Sequence, residues 1–159
     1  MAGVTYSEGA TSATLLYAGG VERATGAPEG SAWRHLLDVV VTRQVTDRLS
    51  VMAHADAGLE PNEFGTDRWA GGALYAKLRA TDAVELSARV DGLAESTPAD
   101  ASPIFYGVNH IGSGTATAGY RAAAKALLRL ELRHDRAGAA IYEGERHQTT
   151  ATAALVAWF

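Results

Sequence analysis

The sequence predicts an all-β protein: an eight-stranded antiparallel up-and-down transmembrane β-barrel that forms one domain over residues 1–159. Two observations predict this fold. Apolar residues recur with a period of two, which places successive side chains on opposite faces of a strand. The alternating segments are about 11–14 residues long, close to the roughly 9–11 residues of a transmembrane strand and above the usual 5–6 of a soluble one.

The alternation is clearest in the middle of the chain. In residues 83–91 every second residue is Ala, Val or Leu, while Glu, Ser, Arg and Asp stand at the positions between. Residues 49–57 and 126–135 alternate in the same way, and as helices these segments would have no apolar face. The pattern predicts an N-terminal lead-in at residues 1–9 and strands at about 10–22, 31–45, 48–58, 67–80, 83–94, 111–122, 125–136 and 146–159.

The connections between these strands are alternately short and long. Tight turns are predicted at 45–48, 80–83 and 122–125, and long polar loops at 23–30, 58–67, 93–110 and 136–146. Each proline falls in a long connection, where a missing N–H breaks no ladder; they are Pro28, Pro61, Pro98 and Pro103. Short turns at one rim and long loops at the other are typical of outer-membrane barrels.

The composition leaves two kinds of barrel open. No apolar run approaches the roughly 20 residues of a membrane-spanning helix, which excludes a helical membrane protein. A soluble up-and-down barrel of the lipocalin kind is the alternative with the same strand number. The two differ in which face is apolar, because a soluble barrel turns its apolar face inward and a membrane barrel turns it outward.

Charged residues on the polar face favour the membrane barrel. Placed inside, they form a predicted lumen network of Asp38, His54, Asp56, Lys77, Arg79, Glu85, Arg89, Asp91, Arg129, Glu131, Arg133 and Asp135. Its five Lys and Arg nearly balance its six Asp and Glu, as a narrow lumen requires, because an unpaired buried charge is costly. The predicted anchors at the membrane interfaces are Tyr17, Tyr120 and Phe159.

Candidate catalytic and metal-binding residues are weak. His54 and Asp56 share a strand face with Ser50, but Ser50 is about 13 Å from His54 along an extended strand, too far for proton transfer. The acidic segment at 143–147 favours a solvated charge cluster over a cation site. The chain has no cysteine, which excludes disulfides and thiolate ligands. We expect no catalytic residues, no metal and no cofactor.

Several segments carry a family resemblance; they are residues 38–42, 45–51, 69–76, 89–91, 129–135 and 148–150. The Arg-x-Glu-x-Arg-x-Asp run at 129–135 is the most specific of them. Together they resemble the C-terminal eight strands of the OmpL-like β-barrel porins of Gram-negative bacteria. The resemblance implies porin-like transport and a place in the outer membrane.

The last strand and the net charge bear on partners. Residues 148–159 alternate and end at Phe159, which resembles the C-terminal signal read by the barrel-assembly machinery. We therefore expect that machinery and a lipid bilayer, or detergent in its place, as partners of a monomeric barrel. No signal peptide opens the chain, which is expected of a cytosolic protein or of a mature form with its signal removed. The outer-membrane resemblance favours the mature form. A net charge of −4 argues against nucleic-acid binding.

The strand number limits the expected transport. Side chains fill the interior of an eight-stranded barrel, whereas aqueous pores need about 16 strands. We therefore expect a narrow lumen with little or no solute conductance. A structural or adhesive barrel remains open, acting through the loops at 93–110 and 136–146, where the residues expected to be exposed are Ile104, Phe105, Tyr106 and Tyr142. The soluble lipocalin-like binder also remains open.

Overall fold

A computed structural model describes residues 1–21, 33–62 and 64–158. These residues form one antiparallel sheet in which every strand pairs with its neighbours in the chain. The strands are β1 (Ala2–Glu8), β2 (Thr11–Gly20), β3 (Arg34–Gln44), β4 (Leu49–Asn62), β5 (Gly65–Arg79), β6 (Val84–Ser96), β7 (His110–Ala123), β8 (Ala126–Ala137) and β9 (His147–Ala157). The described residues contain no helix long and apolar enough to cross a membrane.

The all-β antiparallel meander is confirmed, but the described sheet has nine strands and not eight. The additional strand, β1, lies where the sequence predicted only a lead-in. It pairs with β2 from Ala2 opposite Tyr17 to Glu8 opposite Thr11. Gly9 takes a φ of 53° in the turn between them, a conformation that glycine adopts without steric cost. The alternation in residues 1–9 is short, which is why it resembled a lead-in.

A second difference lies between β4 and β5. The sequence predicted a long loop at 58–67, whereas β4 continues to Asn62 and β5 begins at Gly65. Pro61 therefore lies within a strand, opposite Thr66. The pairing of β3 with β4 reaches only to Leu59, so β4 has a ladder partner on one side at this point. A proline is tolerated where one side of a strand has no ladder to break.

Two of the tight turns share one chemistry. At 45–48 the Thr46 hydroxyl accepts hydrogen bonds from the backbone N–H groups of Arg48 and Leu49. At 80–83 the Thr81 hydroxyl accepts hydrogen bonds from the backbone N–H groups of Ala83 and Val84. Threonine hydroxyls stabilise turns in this way. We call this end of the sheet, where β1 joins β2, β3 joins β4, β5 joins β6 and β7 joins β8, the turn rim, and the opposite end the loop rim.

The sheet is open, with β1 and β9 at its edges. Every residue of both strands is exposed. Because neighbouring strands are antiparallel throughout, β1 and β9 run in the same direction, from the loop rim to the turn rim. An antiparallel partner for β9 within this sheet would therefore be β2 and not β1.

The two faces of the sheet differ in exposure. The apolar side chains lie on the face opposite the charged residues, which we call the apolar face. On it, Leu74, Leu130 and Leu155 are 60%, 64% and 67% exposed. On the polar face, in contrast, Asp67 and Asp135 are buried. A soluble barrel has the opposite arrangement, with its apolar side chains packed inside.

Candidate functional site: the polar face of the sheet

All twelve residues of the predicted lumen network lie on one face of the sheet. The strand register shows this directly, since pairing partners share a face and residues two apart along a strand return to it. Asp38 lies opposite Asp56, for example, and Glu85 lies opposite Arg79. The prediction of one common face thus agrees with the register.

One cluster joins β3 and β4. His54 Nε2 lies 2.5 Å from Asp38 Oδ2, and Asp56 is the direct cross-strand neighbour of Asp38. Asp56 shares the strand face of His54, but the carboxylate that His54 contacts is that of Asp38 on β3. Gly71 on β5 makes room for this cluster, because a Cβ there would lie 2.6 Å from Asp56 Oδ2.

Two adjacent rows across β6, β7 and β8 carry opposite charge. The arginine row consists of Arg89, Thr115 and Arg133, and the aspartate row of Asp91, Ser113 and Asp135. Each arginine contacts the aspartate two residues further along its own strand, at 2.6 Å on β6 and 2.8 Å on β8. The Ser113 hydroxyl donates a hydrogen bond of 2.7 Å to Asp91.

The pairs nearer the turn rim are more open. Lys77 Nζ lies 2.9 Å from Glu85, and Arg129 lies 3.9 Å from Glu131, with all four side chains more than a third exposed. Such pairs contribute about 0–1 kcal/mol each. Arg79 donates to the backbone carbonyl of Asp47 in the turn. The ion pairs near the turn rim are therefore weaker than those between the arginine row and the aspartate row.

The polar face bounds two cavities. One, of about 590 Å³, is lined by side chains from every strand between β3 and β8, Lys77 and Arg133 among them, so the face is concave. The other, of about 280 Å³, lies nearer the loop rim. It is lined by Tyr106 from the loop at 97–109, by Tyr142 from the loop at 138–146, and by Asp135. Burial, together with the negative charge of Asp135, raises the pKa of the Tyr142 hydroxyl, so this residue stays neutral.

The family model described as "Putative beta-barrel porin-2, OmpL-like" matches residues 1–159. This chain belongs to that family of porin-type β-barrels. The resemblance predicted from the sequence is confirmed, and the match also includes residues 1–9. Searches of curated proteins and of solved structures give no match. Membership in an OmpL-like porin family places the protein in the Gram-negative outer membrane.

The predicted aromatic anchors lie at opposite ends of the apolar face. Tyr17 is near the loop rim, where its hydroxyl hydrogen-bonds to His35 Nδ1 at 2.7 Å, and Tyr120 is near the turn rim. Both are exposed. Phe159 lies outside the described residues. Tyr6, which the sequence analysis missed with the rest of β1, adds a third exposed tyrosine near the turn rim.

At the loop rim of the sheet, the polar face carries charged side chains that the predicted lumen network left out, because residues 58–67 were predicted as a loop. Arg34 pairs with Glu60 through its Nε at 2.7 Å. Asp67 accepts a hydrogen bond of 2.6 Å from the Asn62 amide and is buried. The signal was available, because the alternation of β5 continues back from Gly71 through Trp69 to Asp67.

Glu95, which the predicted network also left out, binds the loop at 97–109 to the polar face. Its carboxylate accepts hydrogen bonds from the N–H groups of Ile104 and Phe105. The Phe105 ring packs edge-on against Trp69, with ring centroids 5.4 Å apart. Within the described residues no group of three or more His, Cys, Asp or Glu could hold a metal ion.

Proposed function

We propose that this porin-family chain forms a closed barrel in the outer membrane, with the polar face as its lumen, and that the lumen admits water and small ions but no metabolites. The observation that carries the proposal is the reversed exposure of the two faces. Leucines such as Leu130 are exposed, while carboxylates such as Asp135 are buried on the concave side. Only a lipid environment makes that arrangement favourable for the apolar side.

Closure follows from the environment. In hydrocarbon each unpaired backbone N–H or C=O costs several kcal/mol, so an open sheet edge is not stable there. β9 therefore needs a partner, and an antiparallel ladder is available with β2. We propose that β2 to β9 close as eight strands and that β1 is displaced from the edge of β2. The lipid bilayer is then the partner of the exposed apolar face.

A narrow lumen follows from the strand number and from the loops. An eight-stranded barrel is just wide enough for its own side chains. The ion pairs of the arginine and aspartate rows occupy that space, and Tyr106 and Tyr142 cover it at the loop rim. Glu95 and Trp69 hold the loop at 97–109 inward, which supports a covering role for this loop over an adhesive one.

Conductance in planar bilayers tests the proposal. We expect small or absent single-channel steps, together with no swelling of sugar-loaded liposomes. Replacing Tyr106 and Tyr142 with alanine should increase any small-ion current, and Phe64→Ala, at an exposed position in the short β4–β5 connection, is the matched control. Large steady openings of the unmodified chain, or passage of sugars, would overturn the narrow lumen.

A further inference from the structure

Charges on the polar face separate by sign along the strands. The boundary lies between the arginine row and the aspartate row. On the turn-rim side, the described residues of β4 to β8 on this face contribute six cations against two carboxylates; they are Lys77, Arg79, Arg89, Arg121, Arg129 and Arg133 against Glu85 and Glu131. On the loop-rim side, β3 to β8 contribute seven carboxylates, with Arg34 and His54 as their basic neighbours on this face; they are Asp38, Asp56, Glu60, Asp67, Asp91, Glu95 and Asp135.

Three of these charged groups have neutral hydrogen-bonding partners. Glu95 is satisfied by two backbone N–H groups, and Asp67 by the Asn62 amide. On the other side of the boundary, Arg79 donates to a backbone carbonyl. Such partners satisfy the hydrogen bonds of a charged group without cancelling its charge. The surplus of each sign therefore persists despite the ion pairs that cross the boundary.

The separation is sharpest on β7. Thr115 lies between the two arginines of the arginine row, and Ser113, two residues away on the same face, lies between the two aspartates of the aspartate row. Both positions carry small hydroxyl side chains. A solute that moves the length of two residues along β7, roughly 7 Å, passes from flanking cations to flanking anions.

We propose that the lumen is polarised along the membrane normal and sorts small ions by sign, holding small cations in the loop-rim half and small anions in the turn-rim half. The inference rests on the proposed function, because it needs the polar face to enclose water. Low-dielectric walls focus the field of fixed charges into a narrow aqueous space. A small-ion current through such a lumen should differ between the two directions of applied voltage.

Charged thiol reagents measure this potential locally. The chain has no native cysteine, so Ser113→Cys and Thr115→Cys each carry one reporter. Each folded variant in liposomes is reacted with a cationic and an anionic methanethiosulfonate of similar size. The ratio of the two rates cancels differences in thiol acidity, because both reagents attack the same thiolate. We expect the cationic-to-anionic ratio at 113 to exceed that at 115 by about tenfold or more at low salt.

A second pair of cysteines keeps the test valid if one of the β7 variants does not fold. On β9, Gln148 lies opposite Asp135 and Thr150 lies opposite Arg133, so cysteines at 148 and 150 should repeat the difference. Leu130→Cys, on the apolar face, is the control for lipid exposure and should react with neither reagent.

Two results would overturn the inference, and they have different consequences for the proposed function. Equal or inverted ratios at both pairs would show that charge is not separated, while a water-filled narrow lumen would stand. Failure of all four lumen cysteines to react when folded, with full reaction once unfolded, would show that the lumen excludes molecules as large as these reagents, and the small-ion current then decides. A current that is equal in the two directions of applied voltage would overturn the inference, and the absence of any current would also remove the small-ion part of the proposed function. Failure of the size limit of the proposed function appears as sugar passage and not in these rates.

Discussion

Gly58 shows how closely side chains pack on the polar face. It lies opposite Trp69, whose ring crosses over it, and a Cβ at this position would overlap the ring and come within 2.7 Å of the His35 carbonyl oxygen. The backbone oxygen cannot move aside without disturbing the β3–β4 ladder. The glycine is therefore required by its neighbours rather than by its backbone conformation.

Gly58→Ala should consequently destabilise the protein. Overpacking of this kind typically costs about 1–3 kcal/mol. The measurement is urea unfolding of the protein folded in detergent. Gly114→Ala is the matched control, because nothing lies within 4 Å of a Cβ at that strand position. Equal stability of the two variants would show that Trp69 does not lie across β4.

The two arginines of β8 should differ in importance. Arg133 contacts the buried Asp135 at 2.8 Å, whereas Arg129 lies 3.9 Å from the half-exposed Glu131. Arg133→Gln should cost about 1–3 kcal/mol, because a buried carboxylate loses its charged partner. Arg129→Gln should cost less than about 1 kcal/mol. Thermal unfolding in detergent compares them, and equal costs would contradict the burial of Asp135.

Which residues share the polar face could be predicted from the sequence, because a period of two fixes the face of every residue in a strand. Which of them touch could not, since contacts depend on the register between strands. His54 illustrates this point. Its same-strand neighbour Asp56 is visible in the sequence. Its contact with Asp38 depends on the register between β3 and β4, which the sequence does not show.

At the scale of elements, seven of the eight predicted strands lie within three residues of their observed bounds, and the third, predicted at 48–58, continues to Asn62. The differences occur at β1 and at the β4–β5 hairpin. Residues 58–67 contain Gly, Pro and Asn, which favour loops in a sequence. Pairing between β4 and β5 overrides those preferences, because the ladder satisfies backbone groups that a loop would leave to solvent.

The edge strand β9 should close against β2. With a cysteine fixed at Thr150, a second cysteine placed in turn at polar-face positions of β2 should give a disulfide at one or two of them; the positions are Ser12, Thr14, Leu16 and Ala18. The corresponding β1 positions, Gly3, Thr5 and Ser7, are the matched set. Disulfides with β1 and none with β2, formed in liposomes, would show a parallel seam instead of the proposed antiparallel one.

For the whole molecule, the decisive property is which face meets lipid. Leu130→Arg places a charge on the exposed apolar face and should cost about 2–4 kcal/mol near the bilayer centre. Thr152→Arg, on the polar face opposite Glu131, should be nearly neutral. Folding yield into liposomes, read from the shift between boiled and unboiled gel bands, compares the two. A loss for Thr152→Arg without a loss for Leu130→Arg would invert the assignment of the faces.

The nearest-neighbour topology also bears on how the proposed barrel would form. Each ladder joins strands that follow each other in the chain, so the segment that each hairpin closes is short compared with the whole chain. The repeated threonine turns stabilise two of these hairpins locally. The proposed seam between β2 and β9 would alone join residues more than a hundred positions apart, and contacts of high sequence separation form slowly. Pairing of neighbouring strands should therefore be fast, and the pairing of β9 with β2 should set the rate of membrane insertion.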